Sequence, residues 1–71
     1  MDVNKVSQKE LEEDFKVIHE LHRKYKDIKF SVDDYKAKNL SYYLGLLGMN
    51  LNLAKASLSD AMYYKKEKTN A

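Results

Sequence analysis

The 71-residue sequence has no cysteine, no proline, no tryptophan and only two glycines. Without cysteine there is neither a disulfide nor a thiolate metal site. Two histidines do not by themselves make an ordinary structural zinc site, so no metal and no cofactor is expected. Without proline, and with glycine confined to Gly45 and Gly48, little interrupts the chain; with 34% charged residues this points to an all-α protein. Neither sign of charge is in large excess. A net charge of +2 demands neither a nucleic acid nor a membrane as partner. The N-terminus lacks a charged-then-apolar leader, and Gly45, Asn50 and Asn52 with nearby charges spoil any membrane span. The absence of cysteine fits a reducing compartment, and the expectation is a cytoplasmic protein without a membrane partner.

A chain of 71 residues is one domain, here 1–71 with ends expected to fray over about 1–5 and 68–71. Such a chain builds a core worth only about 3–5 kcal/mol and is usually helped by a disulfide, a metal or an oligomer contact. With the first two excluded, self-association or capture by a larger protein is what remains.

What is present in quantity is apolar residues in the second half. One heptad seam runs Leu40, Leu44, Leu47, Leu51, Ala54, Leu58, Ala61. A second, offset by two, runs Tyr42, Leu46, Met49, Leu53, Ala56, Asp60, Tyr63. A helix with one seam has one partner; two seams of this coiled-coil kind imply cover from two directions.

Two helix starts share a device. Val6-Ser7-x-x-Glu10-Leu11 is a capping box with a hydrophobic staple. Phe30-Ser31-x-x-Asp34-Tyr35 repeats it, with the shorter Asp expected to make a weaker return bond. The first helix then runs from about Gln8 to about Asp27. Its apolar stripe is Leu11, Phe15, Ile18, Leu21 or His22, and Tyr25, narrow enough for an outer helix with a wet back. Glu12–Lys16 and Glu20–Lys24 are spaced to support that back. Ile28 to Phe30 make a short connection, and the second helix is predicted from about Val32 to about Lys66. The predicted fold is an antiparallel helical hairpin that self-associates into a bundle. Pairing from a short connection covers the long helix only to about Asn52, leaving Leu53 to Tyr63 as an overhang.

Gly48 leaves two architectures open. In a continuous helix Gly45 and Gly48 lie on a narrow polar stripe with Ser41, Asn52, Lys55 and Ser59, where they either admit a close backbone or are tolerated. In a broken one, Gly48 is a left-handed cap and Asn50 or Asn52 starts a third helix, giving a three-helix bundle. The heptad phase survives both glycines, which favours continuity. On that reading Gly48→Ala is expected to stabilise.

Other clusters have ordinary explanations. His22, Arg23, Lys24, Lys26 and Lys29 form a basic group at a helix C-terminus, as do Lys65, Lys66 and Lys68. Glu10, Glu12, Glu13 and Asp14 sit at the opposite pole, the arrangement that opposes a helix dipole. His19 and His22 are three apart, but the spacing supplies no third ligand. Tyr42, Tyr43, Tyr63 and Tyr64 bracket the double-seamed segment, where a ring with a hydroxyl suits a protein interface.

The stretch Leu47-Gly48-Met49-Asn50-Leu51-Asn52-x-Ala54-x-x-x-Leu58 resembles the turn and recognition helix of helix-turn-helix proteins. That resemblance implies a DNA-binding regulator with Asn50, Asn52, Lys55, Arg23, Lys24 and Lys26 at the nucleic acid. It departs at Leu51, Leu53 and Ala56, which would face the groove where polar and basic groups are needed. No glycine-rich phosphate loop and no nucleophile with a spaced base is present, so no enzyme and no catalytic residue is expected. The leading expectation is a small protein-interaction module, an adaptor, inhibitor or assembly factor of the kind common in phage and mobile-element genomes. Its interface residues are Leu40, Tyr42, Leu44, Leu46, Leu47, Met49, Leu51, Leu53, Leu58, Met62 and Tyr63. Its partner is a second copy, as in a homodimer, another protein, or both.

Overall fold

The computed structural model describes residues 1–70, with side chains through Lys68. Three helices carry the fold: α1 (Gln8–Tyr25), α2 (Val32–Ala37) and α3 (Leu40–Asn70), after a 3-10 turn at Val3–Lys5. In that turn, which lies within the stretch 1–5 expected to fray, the Asn4 N–H donates to Asp2 Oδ1 at 3.0 Å. At the other end α3 stays helical to Asn70, past the expected stop at Lys66; Ala71, the last residue of the stretch 68–71 expected to fray, lies outside the described residues.

Both capping boxes form. The Glu10 N–H donates to Ser7 Oγ at 3.0 Å, and the Ser7 N–H to Glu10 Oε2 at 3.2 Å. In the second box the Asp34 N–H donates to Ser31 Oγ at 3.1 Å, and the Ser31 N–H returns to Asp34 Oδ2 at 2.9 Å. The shorter Asp therefore makes the shorter return bond, contrary to expectation. The α1 stripe is also as predicted: Leu11, Phe15, Ile18, His22 and Tyr25 are half-buried, whereas Leu21 is exposed. Glu20 pairs with Arg23 at 3.7 Å rather than with Lys24, whose ammonium lies over the Tyr25 ring at 5.2 Å.

The predicted long second helix is divided, and at Lys38 rather than Gly48. Lys38 adopts φ 52° and ψ 44°, the left-handed conformation. Its N–H donates to the Tyr35 carbonyl at 3.3 Å and the Asn39 N–H to the Asp34 carbonyl at 3.4 Å. These two bonds are a Schellman ending, with lysine where glycine is usual. Asn39 then caps α3, its Oδ1 accepting from the Tyr42 N–H at 3.1 Å. Its amide donates to Asp34 Oδ1 at 2.7 Å, so one carboxylate closes the start of α2 and ties down the start of α3.

Because α3 begins at Leu40, the hairpin is registered differently from expectation. The Tyr25 end of α1 sits at Gly48, Phe15 lies beside Asn52, Lys55 and Ser59, and Leu11 is near Ala61 and Lys65. The helices are antiparallel, and α1 spans the stretch from Leu53 to Tyr63 that was expected to overhang. The uncovered end is Leu40 to Leu47, against which the connection and α2 fold. Phe30 and Tyr35 both meet Tyr42 edge-on, at centroid distances of 5.1 and 5.5 Å. The Lys38 ammonium lies over Tyr35 and Tyr42 at 4.2 and 4.9 Å.

α3 passes through both glycines without a break, and they are the buried residues of the described chain. A Cβ on Gly48 would stand 2.7 Å from the Tyr25 carbonyl oxygen. A Cβ on Gly45 would collide with the Phe30 ring. Of the polar stripe, Gly45, Gly48 and Lys55 thus face α1, while Ser41, Asn52 and Ser59 stay exposed. The expectation that Gly48→Ala stabilises is overturned, because that position is a close backbone approach rather than a helix defect.

Asp34 makes the fold pH-sensitive. Its carboxyl is held below the ordinary value of 3.8, first by the Asn39 amide and then by hydrogen bonds with Ser31. The unfolded chain takes up that proton at higher pH than the folded one. The stabilisation is therefore complete above the ordinary value and is lost as pH falls through the lower folded value. Wild-type melting temperature is expected to drop more steeply below about pH 4 than that of Asp34→Asn. Parallel melting curves as a function of pH would count against this assignment.

Candidate protein-interaction surface

Among the described residues no hydrophobic side chain is fully buried. The reason is geometric. Two helices side by side form a single layer, 51 × 20 × 18 Å, and each can bury only the strip that faces the other.

On α3 that strip runs through Gly45, Gly48, Leu51, Lys55, Leu58, Met62 and Lys65, at spacings of three and four. Leu44, Leu51, Leu58 and Met62, all predicted interface residues, are half-buried on this side. Lys55 is half-buried with them and reaches over the Phe15 ring at 5.8 Å; Phe15 also stacks on His19 at 6.2 Å. Tyr42 is half-buried in the aromatic cluster, and Leu46 is half-buried beyond it. The rest of the predicted set points outward. Leu40 is 70% exposed, Met49 58%, Leu53 65% and Tyr63 68%, with Leu47 at the margin of exposure.

The outward residues form an arc with two flanks. Phe15 lies with Asn52, Ala56 and Ser59 on one flank of the hairpin. At 100° per residue, Leu47, Ala54 and Ala61 fall on the opposite edge of α3. Val17 and Leu21 fall on the edge of α1 away from Phe15, so they share that second flank with the Leu47 edge. Both are exposed. This two-helix flank was missed by sequence reasoning. Its signal is the i,i+4 pair Val17 and Leu21 lying one step off the main stripe. At the end of the flank is an apolar groove of about 630 Å³ lined by Val3, Val6, Leu11, Ala61 and Tyr64, with Lys65 and Lys68 at its rim. The valines preceding α1, expected to be a frayed end and a staple, form one wall of it.

The residues assigned to a nucleic acid do not converge. Asn52 and Lys55 lie against Phe15, Asn50 is exposed on another side of α3, and Arg23 and Lys24 are engaged by Glu20 and Tyr25 on α1. Lys26 closes α1, its N–H donating to the His22 carbonyl at 2.8 Å. Gly48 to Asn50 are helical, so the turn that the helix-turn-helix resemblance needs is absent. No helix among the described residues is long and apolar enough to cross a membrane. No family model, no curated protein and no solved structure matches the chain.

Proposed function

We propose that the chain acts by binding protein, through the outward arc of α3, as a small non-enzymatic adaptor, inhibitor or assembly factor. The observation that carries this reading is that large apolar side chains stay exposed along the whole of α3: Met49, Leu53, Tyr63 and Tyr64 within about 100° of arc, and Leu40 and Leu47 at the opposite edge. Exposed large apolar side chains in this number cost solubility and mark interaction sites. Tyrosines at both ends supply rings that bury well and hydroxyls that tolerate a wet rim.

Leu53 provides a clean test. It is 65% exposed and contributes little to the hairpin, so Leu53→Asp should leave the circular dichroism spectrum unchanged. Wild-type chain immobilised and exposed to extract from its own source should retain a specific protein that the Leu53→Asp chain loses. Identical retention by both, or specific retention by neither, would sink the reading.

A further inference from the structure

We infer that a second copy of this chain occupies the flank formed by Val17, Leu21, Leu47, Ala54 and Ala61, making an antiparallel four-helix dimer; this goes beyond the binding reading above, whose Met49, Leu53 and Tyr63 lie on other sides of α3. The first argument is area. The chain exposes 5838 Å², whereas a compact monomer of its mass exposes roughly 4,600 Å². The surplus of roughly 1,200 Å² exceeds the 800 Å² or so that each partner buries in a standard complex, and suits a permanent dimer.

The second argument is self-complementarity. Along this flank α1 reads Asp14, Val17, Leu21, Lys24. Reversing that order exchanges the charges and keeps the apolar centre. A two-fold axis perpendicular to the helices therefore sets Asp14 beside Lys24 of the second copy and Val17 beside its Leu21, as an isologous contact requires. The register of the hairpin places Ala54 of α3 at the level of the middle of this pattern. The same axis then brings Leu47 opposite Ala61 of the second copy, large against small. Leu40, Tyr43 and Leu47, all exposed at one end of α3, reach toward the groove between Val3, Val6, Ala61 and Tyr64 at the other end. Projection and recess occur on one chain at equal distances from Ala54. A two-fold pairs each with the other, twice.

Sedimentation equilibrium at micromolar concentration is expected to give twice the chain mass for the wild type and the single-chain mass for Leu47→Asp. The absence of native cysteine allows a check that does not depend on a weakened fold. Ala54→Cys, at the axis, should oxidise to a disulfide-linked dimer, while Met49→Cys, on the other edge of α3, should remain a single chain. A wild-type chain that sediments as a folded monomer overturns the second copy. Cross-linking through Met49→Cys but not Ala54→Cys overturns this flank. Either result leaves the Leu53→Asp retention experiment to judge protein binding on its own.

Discussion

Gly48→Ala is expected to melt roughly 5–15 °C below the wild-type chain. The added methyl would stand 2.7 Å from the Tyr25 carbonyl oxygen and 3.2 Å from its carbonyl carbon. Both are backbone atoms in the last turn of α1, so relief requires the helices to separate rather than a rotamer to change. Overpacking costs about 1–3 kcal/mol, a clash with backbone falling in the upper part of that range at about 2–3 kcal/mol, and alanine recovers about 1 kcal/mol through its better helix propensity. The net loss is about 1–2 kcal/mol, and each kcal/mol is worth about 4–8 °C in a domain of this size. Gly48→Leu should unfold the hairpin outright, since a chain this small holds only about 3–5 kcal/mol in reserve. Gly45→Ala is the informative contrast. There the obstacle is the Phe30 ring, a side chain on a connection that can swing away, and the loss should be smaller. Melts must be run at one protein concentration, because a self-associating chain has a concentration-dependent midpoint. A Gly48→Ala chain melting at or above the wild type would show that α1 does not rest on α3 at this point.

Gly48 also shows where the sequence misleads. The heptad phase running through the glycines correctly predicted a continuous helix. It did not reveal which side of that helix faces inward. A polarity argument sends Gly45, Gly48 and Lys55 outward because their neighbours on the wheel are Ser and Asn. The fold turns them toward α1, because only residues without bulk let the end of a helix lie against the backbone, and because the lysine stem can cover Phe15 while its head stays wet. The apolar excess of the second half was therefore visible from sequence, but its cause was not. It is lateral rather than axial: α1 reaches from Gly48 to about Lys65, the connection and α2 cover the start of α3, and that single layer is too narrow.

The capping boxes were legible because both bonds of each box lie within four consecutive residues and need no tertiary partner. The stripe of α1 was legible for the related reason that it faces a single neighbour. The break between α2 and α3 was not. Its left-handed residue is Lys38 instead of glycine, and it carries no proline, so neither usual stop signal is present. What holds the break is distributed: a Schellman pair of backbone bonds, a lysine over two rings, and an asparagine that caps one helix while gripping the other.

That division of labour makes Asn39 the most consequential polar side chain in the fold, and Asn39→Ala should cost about 1–2 kcal/mol. Loss of an N-cap alone is worth about 0.5–2 kcal/mol. The same substitution also removes the 2.7 Å bond to Asp34 Oδ1. Asn39→Asp separates the two roles. Aspartate still accepts from the Tyr42 N–H and suits a helix N-terminus, but it cannot donate to Asp34 and places a like charge beside it. Near neutral pH Asn39→Asp should therefore be destabilised through the tether while the cap survives. On acidification toward the carboxyl range the repulsion disappears and the wild type loses its own Asn39–Asp34 contribution, so the Asn39→Asp difference should shrink most; the Asn39→Ala deficit shrinks only by that contribution and keeps its lost cap. With the tether cut, Tyr35 loses its fixed approach to Tyr42, and the near-ultraviolet dichroism of the tyrosines should weaken in both variants while far-ultraviolet helicity stays close to that of the wild type. An Asn39→Asp chain as stable as wild type near neutral pH would show that the bond to Asp34 does not hold α2 against α3, and would leave the aromatic contacts of Phe30, Tyr35 and Tyr42 as what closes that end of the molecule.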